Sequence, residues 1–217
     1  MTKLIHPTFF SVALLAAASA ALAQDRAWQG HVNAGYSITR GTTADYLENG
    51  MLLGGGVTWK YSPDARYALR ADLSYSHHDA TEELIALGSE TTQVQIDDGK
   101  GILFGLDVNG VYEFPISRRV RGYVTAGAGC YYRRIELTQI ALFEGVACDP
   151  WWGICFDSVF LTDQLVAKTS TTRLAWNGGI GVEFALNQGI FFIDARYHRI
   201  QTDEPTDFIP LRIGYRF

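Results

Sequence analysis

The chain has 217 residues, 47% apolar, 19% charged and 13% aromatic, with a net charge of −5. That balance excludes a disordered chain, the absence of a G-X-Y period excludes collagen, and the negative charge leaves no footprint for nucleic acid. A mean hydropathy of +0.01, with no run of roughly 18 or more apolar residues after residue 23, excludes a bundle of spanning helices.

Residues 1–23 read as a signal peptide: Lys3 supplies the positive start, Phe9 to Ala18 a short apolar stretch, and Ala21-Leu22-Ala23 the small-residue cleavage site. Gln24 then begins a single domain, 24–217. This domain is dominated by alternation with a period of two, repeated eight times, which places apolar and polar side chains on opposite faces of a strand.

The first strand, about 28–38, sets Val32, Ala34, Tyr36 and Ile38 against His31, Asn33 and Ser37. The second, about 51–61, sets Leu53, Val57, Trp59 and Tyr61 against Gly54, Gly56, Thr58 and Lys60. The third, 67–78, is the clearest: Leu69, Ala71, Leu73 and Tyr75 oppose Arg70, Asp72, Ser74 and Ser76. A fourth over about 101–114 opposes Phe104, Leu106 and Val108 to Asp107, Asn109 and Glu113. A fifth, about 120–133, opposes Val124, Ala126 and Ala128 to Arg121, Thr125, Tyr131 and Arg133. The sixth, about 172–184, carries Arg173, Asn177 and Glu183 on its polar face, and the seventh, about 190–200, Asp194, Arg196 and His198. The eighth, 209–217, alternates Ile209, Leu211, Ile213, Tyr215 and Phe217 with Pro210, Arg212, Gly214 and Arg216.

Three connections (62–66, 115–119 and 186–189) are short turns, and four (39–50, 79–100, 134–171 and 201–207) are longer loops. The apolar face carries aromatics at both strand ends. Trp28, Trp59, Tyr61, Tyr67, Phe114, Phe184, Phe191, Tyr215 and Phe217 lie toward the short turns, and Tyr36, Tyr75, Tyr132, Trp176 and Tyr197 toward the loops. Two aromatic belts flanking an aliphatic band, with turns on one side and loops on the other, predict an all-β, eight-stranded antiparallel transmembrane up-and-down β-barrel, apolar side outward.

Export implies an oxidising compartment. Cys148 and Cys155 bracket Pro150 and Gly153, which predicts a small disulfide-closed loop; Cys130 is left over, and no histidine near them favours a metal.

The ending Ile213-Gly214-Tyr215-Arg216-Phe217 resembles the C-terminal signal of bacterial outer-membrane proteins. With the eight strands and the leader, the chain resembles the small outer-membrane barrels of the OmpA-type and opacity-protein (adhesin-like) family. The resemblance implies a location in the bacterial cell outer membrane, contact with outer-membrane lipid and lipopolysaccharide, and insertion by the barrel-assembly machinery, which would read Tyr215 and Phe217. It says little about activity, because such scaffolds host many functions.

The inward charges Arg70, Asp72, Asp107, Glu113, Arg121, Arg133, Arg173, Glu183, Asp194, Arg196, Arg212 and Arg216 either line a selective channel or neutralise one another and close the lumen; the narrowness of eight strands favours closure. His198 is the most tempting catalytic residue. Lipid A deacylase barrels pair a histidine with a serine two residues on, whereas here that position is Ile200. The four loops hold 16 of the 23 acidic residues and only Arg40, Lys100, Arg134 and Lys168 of the basic ones. This is either a face for cationic partners or a solvated surface beside anionic lipopolysaccharide. The reading is therefore a monomeric, non-catalytic, cofactor-free barrel with a structural or surface-interaction role toward an unidentified ligand. A narrow porin-like pore and a lipid A-modifying enzyme remain the alternatives.

Overall fold

A computed structural model describes residues 27–217 apart from 63, 149–152 and 203–204. The signal-peptide reading of residues 1–23 and Gln24 lies outside the described residues. Among the described residues no helix is long and apolar enough to cross a membrane.

Eight strands close on themselves in sequence order: β1 (Trp28–Arg40), β2 (Gly50–Trp59), β3 (Tyr67–Asp79), β4 (Asp98–Pro115), β5 (Val120–Cys148), β6 (Cys155–Leu186), β7 (Gly189–Ile200) and β8 (Thr206–Arg216). Every neighbouring pair is antiparallel, and the seam between β8 and β1 runs through Ala34↔Ile213 and Ile38↔Ile209. Closure leaves no sheet edge within the wall, a requirement where no water can satisfy the backbone.

The alternation sorts residues as the sequence predicts. Val32, Leu53, Leu69, Leu73, Leu106, Val108, Val124, Ile180, Ile193, Leu211 and Ile213 are exposed on the outer wall, while His31, Arg70, Asp72, Asn109, Glu183 and Arg196 are buried inside. A soluble barrel would invert this arrangement. The belts consist of cross-strand neighbours: Trp28 beside Trp59 (centroids 6.3 Å apart), Tyr67 beside Tyr112 (5.0 Å) and Phe184 beside Phe191 (6.2 Å) at one end, Trp176 beside Tyr197 (5.5 Å) at the other. Phe217 extends the seam: its N–H donates to the Gly30 carbonyl, and its ring lies where a side chain at Gly30 would be.

The long connections differ from the expected loops. Residues 134–171 are not a loop; β5 and β6 continue as one ladder from Arg134↔Ser170 to Cys148↔Cys155, well past the barrel mouth. Residues 39–50 and 79–100 hold two helices, α1 (Thr42–Tyr46) and α2 (Glu82–Thr92). The Thr81 hydroxyl caps α2 by accepting from the Leu84 N–H, and Glu82 and Glu83 sit in its first turn, where the helix dipole favours acid. Leu47, Ala80, Ile96 and Leu137 are buried together with these loops, so the mouth is covered by packed structure.

Candidate functional site

The lumen is built in tiers. In the lowest, nearest the short turns, Glu113 accepts from Lys60 at 2.6 Å and lies 3.3 Å from Arg121. Glu183 pairs with Arg216 and lies 3.5 Å from Arg121. The middle tier is organised by two carboxylates. Asp72 accepts from Arg196 (2.8 Å), Arg70 (3.0 Å) and Asn109 (3.0 Å), and is hydrogen-bonded to His31 (2.9 Å). Asp194 accepts twice from Arg212 (2.7 and 2.9 Å), and from Arg196 (3.2 Å) and Tyr123 (2.7 Å). The Arg70 guanidinium also lies 4.7 Å over the Phe192 ring. Above this, Tyr131 donates to Asp107 at 2.6 Å, and Asn177 donates to the same carboxylate at 3.2 Å. Leu103, Tyr131, Ala175, Ile200 and Phe208 then form an apolar layer toward the loops.

Two inward rings lie over the neighbouring strand, each against its own cross-strand partner, a glycine. A Cβ at Gly105 would stand 2.3 Å from the Tyr131 ring, and one at Gly181 2.3 Å from that of Tyr123, so only glycine admits them. Charge pairing, these inward rings and an apolar layer together occupy a cross-section that eight strands already make narrow.

Arg70, Asp72, Asp194, Arg196 and Arg212 come together in one cluster; Glu113 and Glu183 belong to the lower tier. Two residues depart from the expected network. Asp107 is held by the neutral donors Tyr131 and Asn177 rather than by direct pairing with an arginine. Arg173 is not in the lumen: β7 ends at Ile200, opposite Ala175, so Arg173 stands above the mouth and is exposed. Sequence reasoning overlooked Tyr123 as a lumen donor and left Lys60, Asn109 and Asn177 out of the network, although alternation already pointed the last three inward. His198 is buried, 2.9 Å from the Tyr131 hydroxyl and stacked on Phe208, out of reach of a substrate.

The second feature is the outer arm. Beyond Thr138, β5 has no β4 partner, and before Leu174, β6 has no β7 partner, so both strand edges are open among the described residues. One face exposes Ile140, Leu142 and Val146, beside Glu144, Asp157 and Asp163. A disulfide joins Cys148 and Cys155 at the tip, and Cys130 is free on the outer wall. At the arm's base Arg134 donates to Glu136, and Lys100 lies 3.5 Å away; together they hold that carboxyl below its usual range. Among the described residues no cluster of three His, Cys, Asp or Glu could hold a metal ion.

Comparison with known proteins gives the family described as outer membrane protein beta-barrel domain, matched over residues 9–217. No curated protein matches. Among solved structures, Neisserial surface protein A aligns at 13% identity and a TM-score of 0.50, over 88% of this chain and 96% of that one. The attachment invasion locus protein Ail of Yersinia pestis aligns at 16% identity and a TM-score of 0.47, over 88% and 100%. The N-terminal barrel of Pseudomonas aeruginosa OprF aligns at 14% and 0.38, over 89% and 100%. At these identities the likeness is one of fold.

Proposed function

The chain belongs to the outer membrane protein β-barrel family, and from that premise we propose that it is a non-enzymatic surface-interaction protein whose working part is the β5–β6 arm. It is an integral barrel of the bacterial outer membrane. The observation that carries the proposal is the pair of open strand edges projecting beyond a filled barrel. Unpaired N–H and C=O groups on a protruding edge are a template for an added strand, and the face on which Glu144, Asp157 and Asp163 alternate with Ile140, Leu142 and Val146 offers contact area to a polypeptide of opposite charge. The filled lumen speaks against the porin-like alternative, and the burial of His198 against the lipid A-modifying one. Lipopolysaccharide bridged by divalent cations is the natural surrounding of the remaining acidic loops. Insertion by the assembly machinery, with Tyr215 and Phe217 as its signal, and a monomeric state belong to the same reading.

The test compares cells displaying the full chain with cells displaying a chain in which residues 140–163 are replaced by an Asn-Gly turn. Both barrels should reach the outer membrane and show the gel shift of a folded barrel. Only the full chain should confer adhesion to a eukaryotic cell monolayer. Equal adhesion by the trimmed chain would overturn the proposal.

A further inference from the structure

The outer wall carries a groove of about 690 Å³ toward the short-turn end, bordered by Trp59, Tyr61, Tyr67, Leu69, Tyr112 and Val124, with Gly110 and Ala126 as its floor. We infer that this groove is a binding site for one anionic phospholipid, taking an acyl chain against Gly110 and Ala126 and the phosphate headgroup against Arg66, Arg118 and Arg119.

The barrel does not need the glycine that makes the groove. Inside the barrel, glycines such as Gly127 face backbone at 2.2 Å from where a Cβ would be. At Gly110 the nearest atom to such a Cβ is the Ala126 carbonyl oxygen, at an ordinary 3.8 Å, and the backbone is not left-handed. A strand interior normally favours a larger side chain, and a strand glycine that neither packing nor backbone requires marks a place where something else approaches closely. The register continues the floor: Trp59, Leu69, Gly110, Ala126 and Gly178 are consecutive cross-strand partners, and Gly178 is equally uncrowded. The walls are tall aromatics, so the groove is bounded rather than flat.

Charge near the groove favours an anionic head. At the same end of the barrel, the turns that join β2 to β3 and β4 to β5 carry Arg66 and the pair Arg118-Arg119, all exposed. The described carboxylate on those turns is Asp64; Glu113 points inward to Lys60 and Arg121. Three cations against one carboxylate beside an apolar groove match a lipid with an anionic head and apolar tail, and they mismatch a second copy, whose equivalent end would be equally basic. The site is independent of the arm and rests only on the barrel's place in the membrane.

The experiment is native mass spectrometry of the full barrel released from detergent, with phosphatidylglycerol or phosphatidylcholine of identical chains added. One phosphatidylglycerol should remain bound at a collision energy that strips phosphatidylcholine. Gly110→Leu fills the groove and removes roughly two methylenes' worth of contact, so retention should fall about tenfold. The triple change Arg66→Gln, Arg118→Gln, Arg119→Gln should leave both lipids equally retained. The gel shift verifies folding, and Ala126→Leu decides the matter if Gly110→Leu does not fold. Unchanged retention in the filled variant would overturn the proposal. So would a dimer in the wild-type spectrum that the filled variant loses, since a second copy would then occupy the groove.

Discussion

The lumen and the outer arm are made from the same kind of residue in opposite settings. In the lumen, Asp72 and Asp194 are removed from water and each is surrounded by three or more donors. On the arm, Glu144, Asp157 and Asp163 are exposed and remain solvated. A buried carboxylate must be paired and so dictates the geometry of its neighbours, whereas an exposed one constrains little. The first region is therefore rigid, and the second is free to meet a partner.

The comparison breaks most sharply if a lumen carboxylate proves dispensable. Asp72→Ala leaves Arg196 and Arg70 short of a counter-charge and should cost about 3–5 kcal/mol. Urea unfolding in lipid vesicles measures it, and the equivalent change at Asp163 should leave the midpoint in place. Next is the seam. Phe217→Ala removes a ring packed over Gly30 and should cost about 1.5–3 kcal/mol. The variant should still fold in vesicles but reach the outer membrane in smaller amount, as quantified by blotting membrane fractions.

Much of this contrast is legible in the sequence, and the gaps have physical causes. Alternation decides which residues face inward, because a strand has no other way to place Arg70 and Leu69. Height is not legible. Arg173 has inward parity, yet it stands above the mouth because β7 stops opposite Ala175. Partners across the lumen are not legible either. Strand tilt and stagger bring Arg196 to Asp72 and leave Asp107 to Tyr131, and neither quantity is encoded locally. The arm reads as a loop in the sequence because it has no buried face to mark. In addition, the register shifts between Leu137 and Thr138, with Val166 as the extra residue opposite, which breaks the alternation of β6.

Two local effects, neither of which reaches barrel unfolding, sharpen the arm's side of the comparison. Cys148→Ser opens the tip. Under the chain-entropy picture this forfeits about 2–3 kcal/mol of local order, visible as faster protease cleavage between 140 and 163 without change in barrel unfolding. The smallest effect concerns pH. Because Arg134 and then Lys100 lower the Glu136 pKa, their contribution is complete above the usual carboxyl range of about 4.5 and is lost as pH falls through the depressed value. Amide protection of residues 134–138, corrected for intrinsic exchange, should fall on acidification in that window, and Glu136→Gln should abolish the dependence.

The central claim is that the barrel is a filled scaffold, and single-channel recording of the purified full chain in planar lipid bilayers tests it most directly. The tiers from Glu113 to Phe208 predict a baseline without steady conductance steps. A stable ohmic conductance of porin size, altered in ion selectivity by Asp72→Asn, would contradict it.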